Sequence, residues 1–204
     1  RSSAAQHSQS IHAWAAHIPG VKVVVPSTAG ECKGLLKTAI RDNDPVMFFE
    51  HKMLYTTKFN DVPEVEEDVC IPFGRARIVA EGADITVVTN SMMTIKAEKA
   101  VRQLQKEGIS AELIDLRTIV PLDTETIIRS VKKTGKLLIV DEGHLSFGIT
   151  GEIASRIMPD VFYDLDAPIQ RMGTADVPLP FSPALEFPLI PDEKKIAAKI
   201  REMV

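Results

Sequence analysis

Residues 21–50 read VKVVVPSTAGECKGLLKTAIRDNDPVMFFE and combine both kinds of hydrophobic spacing. The β-branched run VKVVVP at 21–26 is typical of a buried strand that a proline ends. PVMFFE at 45–50 predicts a second strand. Between them, the apolar residues of 27–42 follow one helical stripe: Leu35, Leu36, Ala39 and Ile40. A strand, a helix and a strand in this order predict a parallel crossover unit.

The same alternation continues on both sides of this unit. IHAWAAH at 11–17 has helical spacing and ends before Pro19-Gly20, a strong breaker pair. Further along, we expect strands at 85–90, 110–116, 136–142 and 161–165, and helices at 94–108, 124–135, 148–158 and around Ile196 and Ile200. Strands and helices that alternate in this way predict an α/β fold with a largely parallel sheet covered on both faces.

Capping residues and one irregular segment set the predicted boundaries. Ser27 or Thr28 can cap the helix at 27–42, with Glu31 at capping-box distance, and Asp123 can cap the helix at 124–135. Residues 57–72 are acidic, carry two prolines and have no sustained period, which is typical of a linker. We therefore expect two domains, at 1–56 and 73–204.

The composition restricts the classes of function. The chain has 204 residues, 45% hydrophobic and 25% charged, with a net charge of −4 and no basic block, so nucleic-acid binding is not expected. No apolar run has the length of a membrane span. Cys32 and Cys70 follow no metal-ligand spacing and are expected to be reduced thiols in a reducing compartment. Because the chain does not begin with methionine, we expect a fragment of a longer protein.

Three histidines near the beginning are spaced five residues apart. Five residues turn a helix about 140° beyond one revolution, so His7, His12 and His17 cannot ligate one metal from one helix. We expect His12 and His17 to lie on a helix face. His7, in AQHSQS at 5–10, is expected in a loop before that helix. There it suits either acid–base and hydrogen-bonding chemistry or a plain solvent-facing position.

Three further stretches have both a functional and a structural interpretation. Gly143, Gly148 and Gly151 do not fit a dinucleotide fingerprint and favour tight turns and close packing at a domain or subunit interface, although the helix that begins there could attract an anion. AIRDNDP at 39–45 can end a helix, or its carbonyls and carboxylates can hold a hard cation. The proline-rich stretch around Asp176 can be a rigid strap or a partner-binding loop. Two classes of protein remain open, an enzyme subunit and a non-catalytic α/β binding or assembly module, and a cofactor-dependent change in stability would separate them.

Four motifs in order resemble a known family. These are AAQHSQS followed by HIPGVKVVVPS, KGLLKTAIRDNDPV, ELIDLRTIVPLD and DLDAPIQRMGTADVPLPF. Together they resemble the β subunit of the thiamin diphosphate-dependent decarboxylase component of 2-oxo acid dehydrogenase complexes, over essentially the whole chain. The resemblance implies the remainder of a pyrimidine-binding-type domain followed by a transketolase C-terminal-like domain with a mainly parallel sheet.

The resemblance also implies site residues. His7 would reach the active site and contact the substrate or its acyl intermediate. Family members bind potassium at the positions of Ala39, Ile40, Asp42 and Asp44, some through backbone carbonyls. Asp176 would contact the lipoyl-bearing acyltransferase core.

The cofactor and most of the partners follow from the same resemblance. Thiamin diphosphate and magnesium would be held mostly by the α subunit of an α2β2 heterotetramer and by an upstream half, so the isolated chain would be inactive. The resemblance favours pyruvate-type oxidative decarboxylation with acyl transfer to lipoamide, with an acetoin dehydrogenase as the alternative. The bacterial cytoplasm is the expected compartment, ahead of the mitochondrial matrix or plastid stroma.

Overall fold

A computed structural model of the chain describes residues 2–57 and 69–204. Its strands are β1 Lys22–Val24, β2 Val46–Phe48, β3 Arg77–Ala80, β4 Ile85–Thr89, β5 Ala111–Asp115, β6 Thr118–Val120, β7 Leu137–His144 and β8 Gln170–Thr174. Its α-helices are α1 Ala4–Ser8, α2 His12–Ala16, α3 Ala29–Arg41, α4 Ser91–Gln105, α5 Thr124–Thr134, α6 Ile149–Val161, α7 Pro183–Glu186 and α8 Glu193–Met203. Short 3-10 turns cover Lys52–Thr56, Phe162–Asp164 and Phe187–Leu189. Among the described residues, no helix is long and apolar enough to cross a membrane.

The described strands form two sheets of mostly parallel pairing. A five-stranded sheet has the order β3-β5-β4-β7-β8, with only β3 antiparallel to its neighbour. A three-stranded sheet has the order β2-β1-β6, with β1 parallel to β2 and antiparallel to β6. The α/β class with mainly parallel strands is therefore confirmed, and so is the crossover unit at 21–50.

Alternate residues of β4 serve two cores on opposite faces of the larger sheet. Ile85 and Val87 pack with the apolar faces of α4 and α8, whereas Val88 packs with those of α5 and α6. This is the period-two alternation of a strand that is covered on both faces. The second core also contains Val23 and Val25 from the smaller sheet, so the two sheets share buried side chains.

The helix caps follow the sequence closely. The Thr28 hydroxyl accepts a hydrogen bond from the amide of Glu31 at 3.2 Å, and the Asp123 carboxylate accepts one from the amide of Thr126 at 3.1 Å. Gly135 ends α5 with φ +69°, a conformation that costs glycine little. The Glu31 side chain reaches back to the amide of Ser27, not to that of Thr28.

The strand predicted at 161–165 is wrong. Val161 is the last residue of α6, and Phe162–Asp164 form a 3-10 turn. The reason is the apolar stripe of α6, whose buried residues recur at intervals of four: Ile149, Ile153, Ile157 and Val161. Burial of that stripe outweighs the β preference of the VFY run. The next strand along the chain is β8, which begins nine residues after Val161.

A buried charge cluster joins the two sheets. Glu31 in α3 accepts a hydrogen bond from Arg117 Nε at 2.8 Å, and Arg77 Nε lies 2.7 Å from the same oxygen. The Ser27 hydroxyl contacts Glu31 Oε2 at 2.6 Å and also Asp115 Oδ2. The cluster therefore links α3 of the first predicted domain to β3 and β5 of the second. The domain boundaries remain a prediction, and residues 58–68 of the predicted linker lie outside the described residues.

Candidate active site

A cleft of about 460 Å³ opens between the beginning of the chain and the larger sheet. One wall is residues 7–12, a second wall is residues 49–53 after β2, and the far side is the beginning of α4 together with Glu142. His7, the residue predicted to be catalytic, lines this cleft. The carboxyl ends of β4 and β7 lie beneath it, which is where open α/β sheets bind ligands.

His7 is exposed to solvent in α1, not in a loop as predicted. The five residues of α1 include no buried side chain. The Ser8 hydroxyl, at the end of this short helix, accepts a hydrogen bond from the amide of Ser3, the residue before it, at 3.0 Å. The imidazole of His7 is therefore accessible from the cleft, as a group that exchanges protons with a bound molecule must be.

His12 is the first residue of α2, consistent with the predicted helix position, and it is buried on the floor of the cleft. Its Nε2 lies 2.9 Å from Asp141 Oδ2, and the Asn90 amide donates to Asp141 Oδ1 at 2.9 Å. Burial lowers the pKa of His12, but the Asp141 carboxylate outweighs this effect and raises it overall. Burial acts in the opposite direction on Asp141, where the charge of His12 keeps the pKa below its usual value. Each group therefore favours the charged form of the other, and together they form a buried histidine–carboxylate pair.

A second histidine–carboxylate pair lies next to the first. His51 Nε2 lies 3.0 and 3.1 Å from the two oxygens of Glu142, and the amide of Met53 donates to His51 Nδ1 at 3.3 Å. Because Nδ1 accepts a hydrogen bond, the proton of the neutral ring lies on Nε2 and points at Glu142. Burial raises the pKa of Glu142, but the hydrogen bond from His51 lowers it overall. The cleft therefore has an anionic floor paired with imidazoles.

The residues predicted to hold potassium lie at the end of α3 and do not line the cleft. The Lys22 ammonium is 2.6 Å from an Asp42 oxygen and 3.1 Å from an Asp44 oxygen. The Ala39 carbonyl accepts a hydrogen bond from the amide of Asp42 at 3.3 Å, and the Ile40 side chain is exposed. Since the ammonium already neutralises these carboxylates, a potassium ion here would depend on backbone carbonyls. Among the described residues, no three His, Cys, Asp or Glu side chains form a metal cluster.

Asp176 lies on the surface after β8. Its carboxylate accepts hydrogen bonds from the Ser146 hydroxyl at 2.5 Å and the Ser146 amide at 3.3 Å, and these bonds lower its pKa. Ser146 belongs to the connection between β7 and α6, where a Cβ on Gly148 would lie 2.1 Å from the His144 carbonyl oxygen. The tight turn predicted at that glycine is confirmed, and Asp176 stays exposed beside this turn.

Sequence reasoning missed His12, His51, Asp141 and Glu142. One signal pointed to them: Asp-Glu closes the predicted strand at 136–142, and His51 directly follows the strand at 45–50. Polar residues at the carboxyl ends of parallel strands favour a ligand site. No local pattern pairs them with His12, because 129 residues separate His12 from Asp141.

Two stretches of the chain match domains of one protein family. The chain belongs to the transketolase family: residues 1–58 match the transketolase pyrimidine binding domain, and residues 74–196 match the transketolase C-terminal domain. In three dimensions it resembles a split-gene transketolase solved as an inactive β4 tetramer, with a TM-score of 0.74, 25% identity, and coverage of 94% of this chain and 60% of that one.

Three curated relatives are more specific. The chain is 48% identical over 200 residues to a pyruvate dehydrogenase E1 component subunit beta of Rickettsia felis, covering 98% of this chain and 60% of the relative. It is 44% identical over 198 residues to a 2-oxoisovalerate dehydrogenase subunit beta of Bacillus subtilis, covering 97% and 60%. It is 46% identical over 200 residues to an acetoin:2,6-dichlorophenolindophenol oxidoreductase subunit beta of Cupriavidus necator, covering 98% and 58%. The chain thus spans about 60% of the length of these relatives.

Proposed function

We propose that the chain is part of the β subunit of a pyruvate-type 2-oxo acid dehydrogenase, the component that decarboxylates the substrate and passes the acyl group to lipoamide. The observation that carries this proposal is the place of His7 on a cleft walled by both family-matched regions. The relatives named for pyruvate and acetoin support the substrate class.

His7 would act as a hydrogen-bond donor and proton carrier. Its exposed imidazole faces a cleft whose floor already holds paired charges, so a developing negative charge on a bound acyl group would meet a donor there. We assign this role to the transfer of the acyl group to lipoamide.

The cofactor would be held mostly outside this chain. When bound, thiamin diphosphate supplies the electron sink for loss of carbon dioxide. The described residues do not fit a magnesium–diphosphate site, because they contain no cluster of metal-ligating side chains and the chain has no Gly-Asp-Gly sequence. We infer that the α subunit and the upstream half supply that site. Potassium at Ala39, Ile40, Asp42 and Asp44 stays a prediction.

Assembly would involve two partners. An α subunit would complete an α2β2 heterotetramer, and the exposed Asp176 would contact the lipoyl-bearing acyltransferase core. The two free cysteines fit a reducing compartment such as the bacterial cytoplasm, and equally a mitochondrial matrix or plastid stroma. An acetoin dehydrogenase β subunit is the second candidate function, favoured by the Cupriavidus necator relative.

Reconstitution of the full-length subunit tests the substrate class. The subunit would be combined with its α partner, thiamin diphosphate, magnesium and potassium, and turnover with an artificial electron acceptor would be measured for pyruvate, branched-chain 2-oxo acids and acetoin. We expect pyruvate to give the highest kcat/KM. Turnover of acetoin alone would establish the second candidate, and an assembled, cofactor-loaded complex without turnover would contradict both.

The role of His7 is tested by His7→Ala in the same complex. We expect acyl transfer to a lipoyl domain to fall about 100-fold or more, since a positioned acid–base group contributes about 10²–10⁴-fold. Turnover with the artificial acceptor should fall much less. His17→Ala is the matched control, because His17 is also exposed but does not line the cleft. Full acyl transfer in His7→Ala would show that the assignment is wrong.

A further inference from the structure

The helix that carries His7 has little of its own to hold it in place. It has five residues, none of them buried, and no side chain caps its beginning. Helices shorter than about 12 residues are marginal in water unless tertiary contacts support them. The position of His7 therefore depends on contacts made by the residues that flank α1.

The flanking contacts after α1 converge on two consecutive residues of β7. His12 Nε2 lies 2.9 Å from Asp141 Oδ2, and the Ser10 hydroxyl donates to Glu142 Oε1 at 3.5 Å. The side chains of His12 and Asp141 are 7% and 1% exposed, so the first contact is dry. Residues 8–11 are thereby held between His7 and the buried His12–Asp141 pair.

Both carboxylates are themselves fixed by the core of the protein. The Asn90 amide, at the beginning of α4, donates to the second oxygen of Asp141 at 2.9 Å. His51 holds Glu142, and the Thr174 hydroxyl of β8 donates to the Glu142 backbone carbonyl. The anchor is therefore rigid, and it belongs to the larger sheet, which also forms the far side of the cleft.

We propose that Asp141 and Glu142 are positioning residues that set the place of His7 on the cleft through His12 and Ser10. This inference rests on the role proposed above for His7. It predicts that damage to the anchor reduces the reaction that needs His7 and spares the reaction that does not. A purely structural role would reduce both alike.

The test uses the full-length subunit assembled with its α partner. The variants are Asp141→Asn, His12→Gln and the double variant, which replaces the His12–Asp141 pair by two neutral amides. The double variant matters because a single change strands one buried charge and can destabilise the fold. Two rates are measured for each variant: acyl transfer to a lipoyl domain and turnover with an artificial electron acceptor.

We expect the ratio of acyl transfer to acceptor turnover to fall about 10- to 100-fold in these variants, the cost of a misplaced catalytic group. In a His7→Ala background the same changes should have no further effect on the ratio. Glu112→Gln is the matched control: Glu112 is a buried carboxylate on β5, paired with Lys133 away from the cleft. It should lower the melting temperature without changing the ratio.

Hydrogen exchange separates the failure of this inference from the failure of the proposed function. We expect amides at residues 4–12 to exchange faster in the double variant, which strands no single buried charge, with β4 and β5 unchanged. Unchanged exchange at residues 4–12, or an unchanged rate ratio where His7→Ala lowers it, would overturn the positioning role alone. An unchanged ratio in His7→Ala itself would overturn the role of His7, and the positioning inference with it.

Discussion

Asp115 shows how single residues set the chemistry of the junction between the two sheets. It is fully buried at the end of β5, and burial together with the nearby Glu31 carboxylate raises its pKa to about 7. Glu31 is also buried, yet the charges of Arg77 and Arg117 keep its pKa below the usual value. The Ser27 hydroxyl carries one proton, which it can donate to Glu31 while accepting one from a protonated Asp115. The pair therefore holds one negative charge, on Glu31, in slightly acidic solution.

This arrangement predicts a pH-dependent effect of Asp115→Asn. A carboxyl group whose pKa is raised by folding stabilises the native state at low pH, and this contribution is lost as the pH rises from about 4 to about 7. Asparagine mimics the protonated acid. We expect the free energy of unfolding of the variant, relative to that of the unsubstituted protein, to rise by at least about 1 kcal/mol from pH 5 to pH 8. Urea unfolding at each pH measures this difference. A difference in stability that does not change with pH would contradict the protonation of Asp115.

At the level of residues, the sequence singled out one residue that lines the candidate cleft and missed the residues around it. His7 was selected by its local setting and by resemblance, and it lies on the cleft. His12 was not predicted as a site residue, because the spacing of the three histidines excludes a shared metal ion. That spacing carries no information about a carboxylate on a distant strand. Burial and charge pairing are properties of the folded chain, so no single window contains them.

Among the helices, α5 depends on Asp123. One carboxylate oxygen accepts from the amide of Thr126 at 3.1 Å, and the other accepts from the amide of Ala76 at 2.9 Å. The same side chain therefore caps the helix and fixes the approach to β3. Loss of both hydrogen bonds should therefore lower the free energy of unfolding more than loss of a helix cap alone.

We accordingly expect Asp123→Ala to lower the free energy of unfolding by about 2 kcal/mol, the upper end of the range for capping residues. Glu125→Ala is the control, because Glu125 lies in the same first turn but is exposed, and its removal should cost only about 0.3–1 kcal/mol. Urea unfolding at pH 7 gives both values. Equal losses in the two variants would show that the helix dipole, not the cap, supports α5.

The elements most easily predicted were those with an uninterrupted period. The strands at 85–90 and 110–116 and the helices with a four-residue apolar stripe were placed within a few residues of β4, β5, α4 and α5. The strands β3, β6 and β8 were missed. They are only three to five residues long, and arginine, glutamine or glycine interrupts two of them. Pairing with a neighbouring strand supplies the preference that such short sequences lack.

The whole molecule is held together across the predicted domain boundary. β6, from the second predicted domain, pairs with β1 of the first, and Ile119 packs in a core that also holds Val23 and Ile114. Two segments that share a core cannot lose it separately.

We therefore predict that the two sheets unfold as one unit. Ile119→Ala should lower the free energy of the opening that exposes amides to exchange by about 2–5 kcal/mol. The decrease should be the same for the amides of β1 and for those of β4. Native-state hydrogen exchange measures both. Leu36→Ala, at a half-exposed position of α3, is the control and should change neither by much. A loss confined to β1 would show that the sheets open independently.

The position of α2 has a practical consequence. Trp14 is the chain's single tryptophan, and its side chain, on an exposed face of α2, is 73% exposed. Its indole emits as a water-exposed fluorophore, and a subunit that covers this face would shift that emission to the blue. Its emission would therefore report any partner that covers α2, the helix that begins at His12 of the buried His12–Asp141 pair.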